Sequence, residues 1–244
     1  MGKYIKEFET HEEYSTYING QNKILPNVSH CINNKDVHYN PLYLPIIAKY
    51  DVTDTSSATT LLNSMATRYF SEMEIDGVVQ PSVVSSYTFD TTGEHTVKYT
   101  LIDPTTIGIS TFSNCRNLTS INIPDGVTTI GQGAFRYCTG LTSVTIPNSV
   151  TEIESNAFTY CTNLTSVTIG ESVLRIQSYA FNGCGKLTSI TSLATTAPTI
   201  QSNTFKSIKS GGTLTVPTGS TGYDVWMGTS NYYLGKYNWT KVEQ

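Results

Sequence analysis

Residues able to act as acids, bases, nucleophiles or metal ligands are sparse in this chain, and their spacing fits no reaction centre. The four histidines, His11, His30, His38 and His95, fall in no zinc-protease, phosphate-loop or nucleophile-elbow window. His30, Cys31 and His38 could meet across a hairpin, but the spacing matches no zinc signature, and surface hairpin residues are the simpler reading. Asp51 and Asp54 lack the dense carboxylates and the glycine of a calcium loop. Glu152 and Glu154 alternate on one expected strand and Asp125 is distant. A facing acid/base pair about 5–9 Å apart, as glycoside hydrolysis needs, is therefore not expected. Five cysteines, an odd number with no Cys-x-x-Cys pair, argue against a closed disulfide framework. The chain is expected to be no enzyme and to use no metal and no cofactor.

Two other groups of side chains suit binding. Thr119, Ser120 and Asn122, then Thr142, Ser143 and Thr145, then Thr165, Ser166 and Thr168, then Thr188, Ser189 and Thr191 recur in step. Hydroxyls and amides in fixed rows can hydrogen-bond a polar, uncharged ligand such as a glycan. Rows of threonine also simply suit exposed strand positions. Tyr223, Trp226, Tyr232 and Tyr233, with Tyr237 and Trp239, form a C-terminal aromatic group. Aromatic faces with a polar tip are common at interfaces and against sugar rings, and they serve equally to cover an open end of a stack.

A repeat must position these residues. Phe112, Phe135, Phe158 and Phe181 recur in steps of 23. Cys115, Cys138, Cys161 and Cys184 keep the same step, as do Leu118, Leu141, Leu164 and Leu187. Ile107, Ile130, Ile153 and Ile176 do so too, and reach Ile200 with one extra residue. A fixed period of this size marks a solenoid. Within Leu118-Thr119-Ser120-Ile121-Asn122-Ile123-Pro124 the three aliphatic residues face inward and Thr119, Ser120 and Asn122 outward. Pro124 and Pro147 end their strands, because proline cannot donate to a ladder. The cysteine column reads as a row of small buried hydrophobes. One coil cannot bury its apolar face alone, so the stack needs neighbours and a cap at each end.

The unit Ala-Phe-x-x-Cys-x-x-Leu-Thr-Ser-Ile/Val-x-Ile-Pro-x-x-Val-x-x-Ile resembles the BspA-type, or treponemal, class of leucine-rich repeats over about residues 103–205. The resemblance implies a mainly β leucine-rich-repeat solenoid that acts as a binding scaffold. The class occurs in surface and adhesion proteins of anaerobic and gut bacteria, of protists and of phages that infect such bacteria.

The chain reads as four segments, with the solenoid at 104–205. Residues 1–44 hold a capping box, Thr10-His11-Glu12-Glu13, that opens a short helix through Ile18. Extended runs there include Tyr4–Phe8 and a hairpin of Val28–Ile32 and Val37–Tyr39 joined by residues 33–36. Residues 45–103 carry about five strand signals and resemble a small immunoglobulin-like β-sandwich, or else form an N-terminal cap on the first coil. Residues 206–244 are expected to be the aromatic C-terminal cap.

Only 14% of residues are charged and the net charge is −4, so no basic field exists for a nucleic acid. No apolar run approaches the roughly 18 residues of a membrane span, and Met1–Glu7 has no apolar export segment. Leu25–Ser29 and Val37–Pro41 resemble the leader of structural and fibre-like proteins in phages of gut bacteria. That resemblance implies docking to other virion proteins through residues 1–44, and a homo-oligomer, since virion parts are symmetric. The expected protein is a leucine-rich-repeat module displayed on a phage virion, in contact with a protein or glycan on a cell surface. The alternative is a bacterial cell-surface adhesion protein whose export signal is absent from this chain.

Overall fold

The computed structural model describes residues 30–32, 35–37 and 44–244, in two compact units, Met1–Leu44 and Pro45–Gln244. In the first unit β1 (His30–Ile32) pairs antiparallel with β2 (Lys35–Val37), Cys31 opposite Asp36. The expected hairpin is present, but Lys35 and Asp36 are strand residues and not part of the connection. The expected helix over 10–18 and the extended run Tyr4–Phe8 lie outside the described residues.

The second unit begins with β3 (Ile46–Val52), β4 (Thr59–Thr60), β5 (Phe70–Ile75), β6 (Val78–Val79), β7 (Ser86–Tyr87) and β8 (Gly93–Leu101). Strand side chains alternate between faces. Accordingly β3 buries Ile46, Ala48, Tyr50 and Val52, and β8 buries His95, Val97, Tyr99 and Leu101. The two strands pair antiparallel from Ile46 opposite Tyr99 to Val52 opposite Gly93. Asp76 and Gly77, with φ of 48° and 83°, turn β5 into β6, as the favoured two-residue hairpin demands.

The solenoid follows: β9 (Thr106–Ile107), β10 (Leu118–Asn122), β11 (Thr129–Ile130), β12 (Ser143–Ile146), β13 (Glu152–Ile153), β14 (Ser166–Ile169), β15 (Arg175–Ile176), β16 (Ser189–Ser192), β17 (Thr199–Ile200), β18 (Thr213–Val216) and β19 (Thr240–Glu243). Short strands β9, β11, β13, β15 and β17 make one parallel sheet, and long strands β12, β14, β16, β18 and β19 make another. Register follows the repeat, with Val144 opposite Val167 and Ile190 opposite Leu214. The turns are laddered as well: the N–H groups of Phe112, Phe135 and Phe158 donate to the carbonyls of Ala134, Ala157 and Ala180 at 2.7–2.8 Å. Buried backbone groups are thus satisfied outside the sheets too. Inside, Phe112, Phe135, Phe158, Phe181 and Phe205 form one stack, 5.1–5.9 Å between rings and within 9° of parallel.

Two expectations change. First, β10 leaves the long-strand sheet and pairs antiparallel with β3, Asn122 opposite Ile47, so the sheet of 45–103 is continuous with the first coil. Second, the coils do not stop at 205. β18 continues the long-strand ladder in register, and Thr196 bridges to Thr221 beyond it.

Candidate functional site

The long-strand face carries two free columns of hydroxyls. Ser143, Ser166, Ser189 and Thr213 lie side by side across β12, β14, β16 and β18, and Thr145, Thr168, Thr191 and Thr215 form the parallel row two residues on. Neighbouring strands lie about 4.8 Å apart, and alternate residues along a strand about 6.6 Å apart, so the eight hydroxyls form a regular grid. Hydrogen bonds from their side chains to other described residues are absent, and none of the eight is buried. This grid is neutral and preordered by the ladder beneath it.

In the remaining column of the expected face the hydroxyls of Thr119, Thr165 and Thr188 are engaged internally, while that of Thr142 makes no bond to another described residue. Thr165 Oγ1 donates to the carbonyl of Thr142 at 3.0 Å, and Thr188 Oγ1 to that of Thr165 at 3.4 Å. In the first coil Thr119 Oγ1 donates to the Lys49 carbonyl at 3.2 Å. Thr119, Ser120 and Asn122 therefore lie in the sheet that β10 shares with β3, and only the Thr142 N–H, 3.4 Å from the Thr119 carbonyl, links that strand to the next coil. The parallel long-strand ladder thus runs over β12, β14, β16 and β18, with the first coil's strand in the antiparallel sheet beside it.

The aromatic group divides. Tyr223 and Trp226 are buried, so no ring face is left for a ligand. Trp226 stacks tilted on Phe205, and its indole N–H donates to the Pro198 carbonyl at 2.9 Å. The Tyr223 hydroxyl bonds Ser192 Oγ at 2.7 Å and the Ala194 carbonyl at 2.9 Å. Both serve as the lid of the phenylalanine stack. Tyr232 and Tyr233 remain partly exposed, and the ammonium of Lys236 lies 3.8 Å from the centre of the Tyr232 ring.

Several of the acidic and thiol side chains are engaged in the structure. Glu152 Oε1 accepts from Gln177 Nε2 at 2.8 Å, and Glu154 Oε2 from the Gln132 N–H at 2.7 Å. The side-chain and backbone donors of Ser56 hold the Asp54 carboxyl below its usual range. Cys138, Cys161 and Cys184 each place Sγ 3.1–3.2 Å from the carbonyl of the preceding coil's phenylalanine, residues 112, 135 and 158. Burial pushes these thiols up, that of Cys184 to about 12. High values deprive them of the thiolate that redox and metal chemistry require. His30 and Cys31 lie on β1, and His38 is outside the described residues. Among the described residues no group of three potential metal ligands converges, and no helix is long and apolar enough to cross a membrane. Tyr137 and Tyr160 were missed in the sequence because their columns also hold Asn114 and Gly183. They stack on the solenoid's turn edge at 5.1 Å.

Coils in two parallel ladders, with a neutral polar outer face, define a leucine-rich-repeat solenoid. This class of fold is typically a non-enzymatic binding scaffold, and such domains generally mediate protein–protein interaction. Residues 105–224 match the BspA type leucine rich repeat region, in six copies. Proteins with BspA-like repeats are often surface or extracellular. No curated protein matches the chain.

Proposed function

We propose that this chain is a surface-displayed binding scaffold that engages a neutral, hydroxyl-rich partner, a glycan or a glycosylated protein on a cell surface, through the grid on β12, β14, β16 and β18. The observation that carries the reading is the contrast between columns: the Thr165 and Thr188 hydroxyls are used inside the ladder, whereas the eight of the grid are not. A hydroxyl can both donate and accept, so a fixed two-row array suits the alternating donors and acceptors of a sugar chain. The test is a Thr145→Arg/Thr168→Arg variant assayed on intact bacterial cells and on a glycan array. Binding is expected to fall at least about tenfold with the thermal midpoint nearly unchanged, since exposed substitutions seldom alter stability. Unchanged binding would remove the grid from the reading.

Display on a phage particle, with residues 1–44 as the docking segment and residues 45–103 as the N-terminal cap of the solenoid, extends this proposal. The resemblance of residues 25–41 to phage leaders supports it, and the alternative is a bacterial cell-surface adhesion protein. Light scattering on the full chain and on a chain starting at Pro45 separates them. An oligomer that becomes a monomer on truncation favours docking through residues 1–44, and two monomers favour the adhesin.

A further inference from the structure

The two turn edges of the solenoid differ in charge. Between each core phenylalanine and the following long strand, in residues 112–118, 135–141, 158–164, 181–187 and 205–212, stand Arg116, Arg136, Lys186, Lys206 and Lys209, and the one carboxylate of the connections from short to long strand, Glu154 ahead of Phe158, accepts from the Gln132 N–H. On the opposite edge, in residues 123–128, 146–151, 169–174 and 192–198, stand Asp125 and Glu171, with no cation. The net charge of −4 makes this segregation a local feature against an acidic background. Among the described residues none of the five cations has a carboxylate within 4.0 Å. Arg116, Arg136, Lys186 and Lys209 are exposed, and Lys206 is partly so.

An aromatic ridge runs along the same edge. The second residue after each core phenylalanine has a left-handed backbone: Asn114, Tyr137, Tyr160, Gly183 and Ser207, with φ of 59–72°. The N–H groups of the first four bond to the next coil at 2.8–2.9 Å, so the ladder imposes the conformation. Glycine and asparagine adopt it readily, and a bulky side chain does not. Tyr137 and Tyr160 nevertheless occupy it, within 6° of parallel. The Arg136 guanidinium lies 4.8 Å from the Tyr137 ring centre. Tyr160 covers Gly183, where a Cβ would come within 2.5 Å of the ring, and still remains 41% exposed. Burial alone does not account for two tyrosines at this position. At the C-terminal end the pattern recurs, with Lys236 and Lys206 at 3.8 and 5.5 Å from the ring of Tyr232, itself left-handed.

We propose that this edge binds a linear acidic polysaccharide, carrying carboxylate or sulfate groups, laid along the solenoid axis. Coils repeat about every 4.8 Å, and four of the five carry a cation on this edge while the third, 158–164, presents Tyr160 instead, so charged and aromatic contacts are spread along the axis on which a linear polymer would lie. Tyrosine edges and hydroxyls between them offer contacts to sugar rings. A folded acidic protein presents no such one-dimensional repeat. The proposal rests on the scaffold reading but places this ligand class on a different face from the neutral grid.

The experiment measures binding of the full chain to polygalacturonate and heparin, with dextran as the neutral polymer and polyglutamate as the acidic polypeptide, at low and high salt. Both acidic polysaccharides are expected to bind, more weakly in high salt because exposed charges are screened, and the other two polymers are not. Lys206→Glu/Lys209→Glu should weaken binding roughly tenfold, a few-fold for each exposed contact. Tyr137→Asn/Tyr160→Asn should weaken it several-fold while the thermal midpoint holds or rises, a combination that a structural role alone would not produce. Failure of both acidic polysaccharides to bind, equal binding of dextran or polyglutamate, or binding unchanged in both double variants would overturn the proposal. Thr168→Leu, on the grid, removes a hydroxyl without adding charge and should leave this binding intact, and its loss there would move the site to the sheet and overturn the proposal equally. If the ridge fails while Thr145→Arg/Thr168→Arg still loses cell binding, the scaffold reading stands by itself.

Discussion

The middle of the solenoid and its two ends solve the same packing problem differently. From Phe112 to Phe205 the aromatic column is phenylalanine on phenylalanine, each ring within 9° of its neighbour. At the ends the next ring is tilted: Tyr99 meets Phe112 at 77°, Phe70 meets it at 57°, and Trp226 meets Phe205 at 51°. Translation lets one residue serve every coil in the middle, because each coil sees the same surroundings. An end has a coil on one side only, so its aromatic must cover the stack and satisfy backbone groups that no further coil will bond. Tyr99 and Tyr50 accordingly share the Leu61 carbonyl, at 3.1 and 2.7 Å, and Trp226 bonds that of Pro198. Repetition supplies packing; at each end a polar-tipped ring also bonds a backbone carbonyl.

The strongest way to break this comparison is Phe158→Ala. Removing the central ring leaves a cavity walled by coils on both sides and should cost about 3–5 kcal/mol in denaturant unfolding. Phe205→Ala, beside the less regular cap, should cost less, and equal losses would contradict the distinction between middle and end. The thiols beside the stack should be equally closed: Cys138, Cys161 and Cys184, raised by burial, should not react with an aromatic disulfide at pH 8 until the protein unfolds. Labelling in the native state would show that the middle opens locally. Trp226→Phe keeps an aromatic ring, smaller than the indole, but orphans the Pro198 carbonyl, and should cost about 1–3 kcal/mol by the same unfolding measurement. No loss would mean that the tilted ring alone, without its polar tip, closes the stack.

The smallest effect lies in the N-terminal sheet. Burial alone would lower the pKa of His95, but bonds to the Asp76 carboxylate at 2.7 Å and the Thr91 carbonyl at 2.9 Å raise it above its ordinary value of 6.5. Both ring nitrogens face acceptors, which only the protonated ring can serve fully. A raised value in the folded state contributes stability that is complete below the unfolded value and lost as pH rises through the folded one. Stability should therefore decline modestly from about pH 6.5 upward, and Asp76→Asn should flatten that slope. A wild-type slope unchanged in Asp76→Asn would assign the dependence to another group.

How much was legible differs by region for a physical reason. The inward columns could be read directly, since identical residues at a fixed step must occupy equivalent positions in successive coils. The same logic overextended the outward face to Thr119, Ser120 and Asn122, because the motif of the first coil is ordinary and its diversion depends on β3, about 70 residues earlier. Among the aromatics after residue 222, composition suits a lid and a binding surface equally. Only packing sends Tyr223 and Trp226 inward and leaves Tyr232 at the surface.

By itself the sequence determined the coil, its two ladders and the buried stack, because periodicity is one-dimensional information and a parallel ladder converts it directly into neighbours. The tertiary structure alone decided which of the outward hydroxyls are free and which tyrosines form a ridge. Each depends on the coil above or below, and on where the repeat meets a segment that does not share its period.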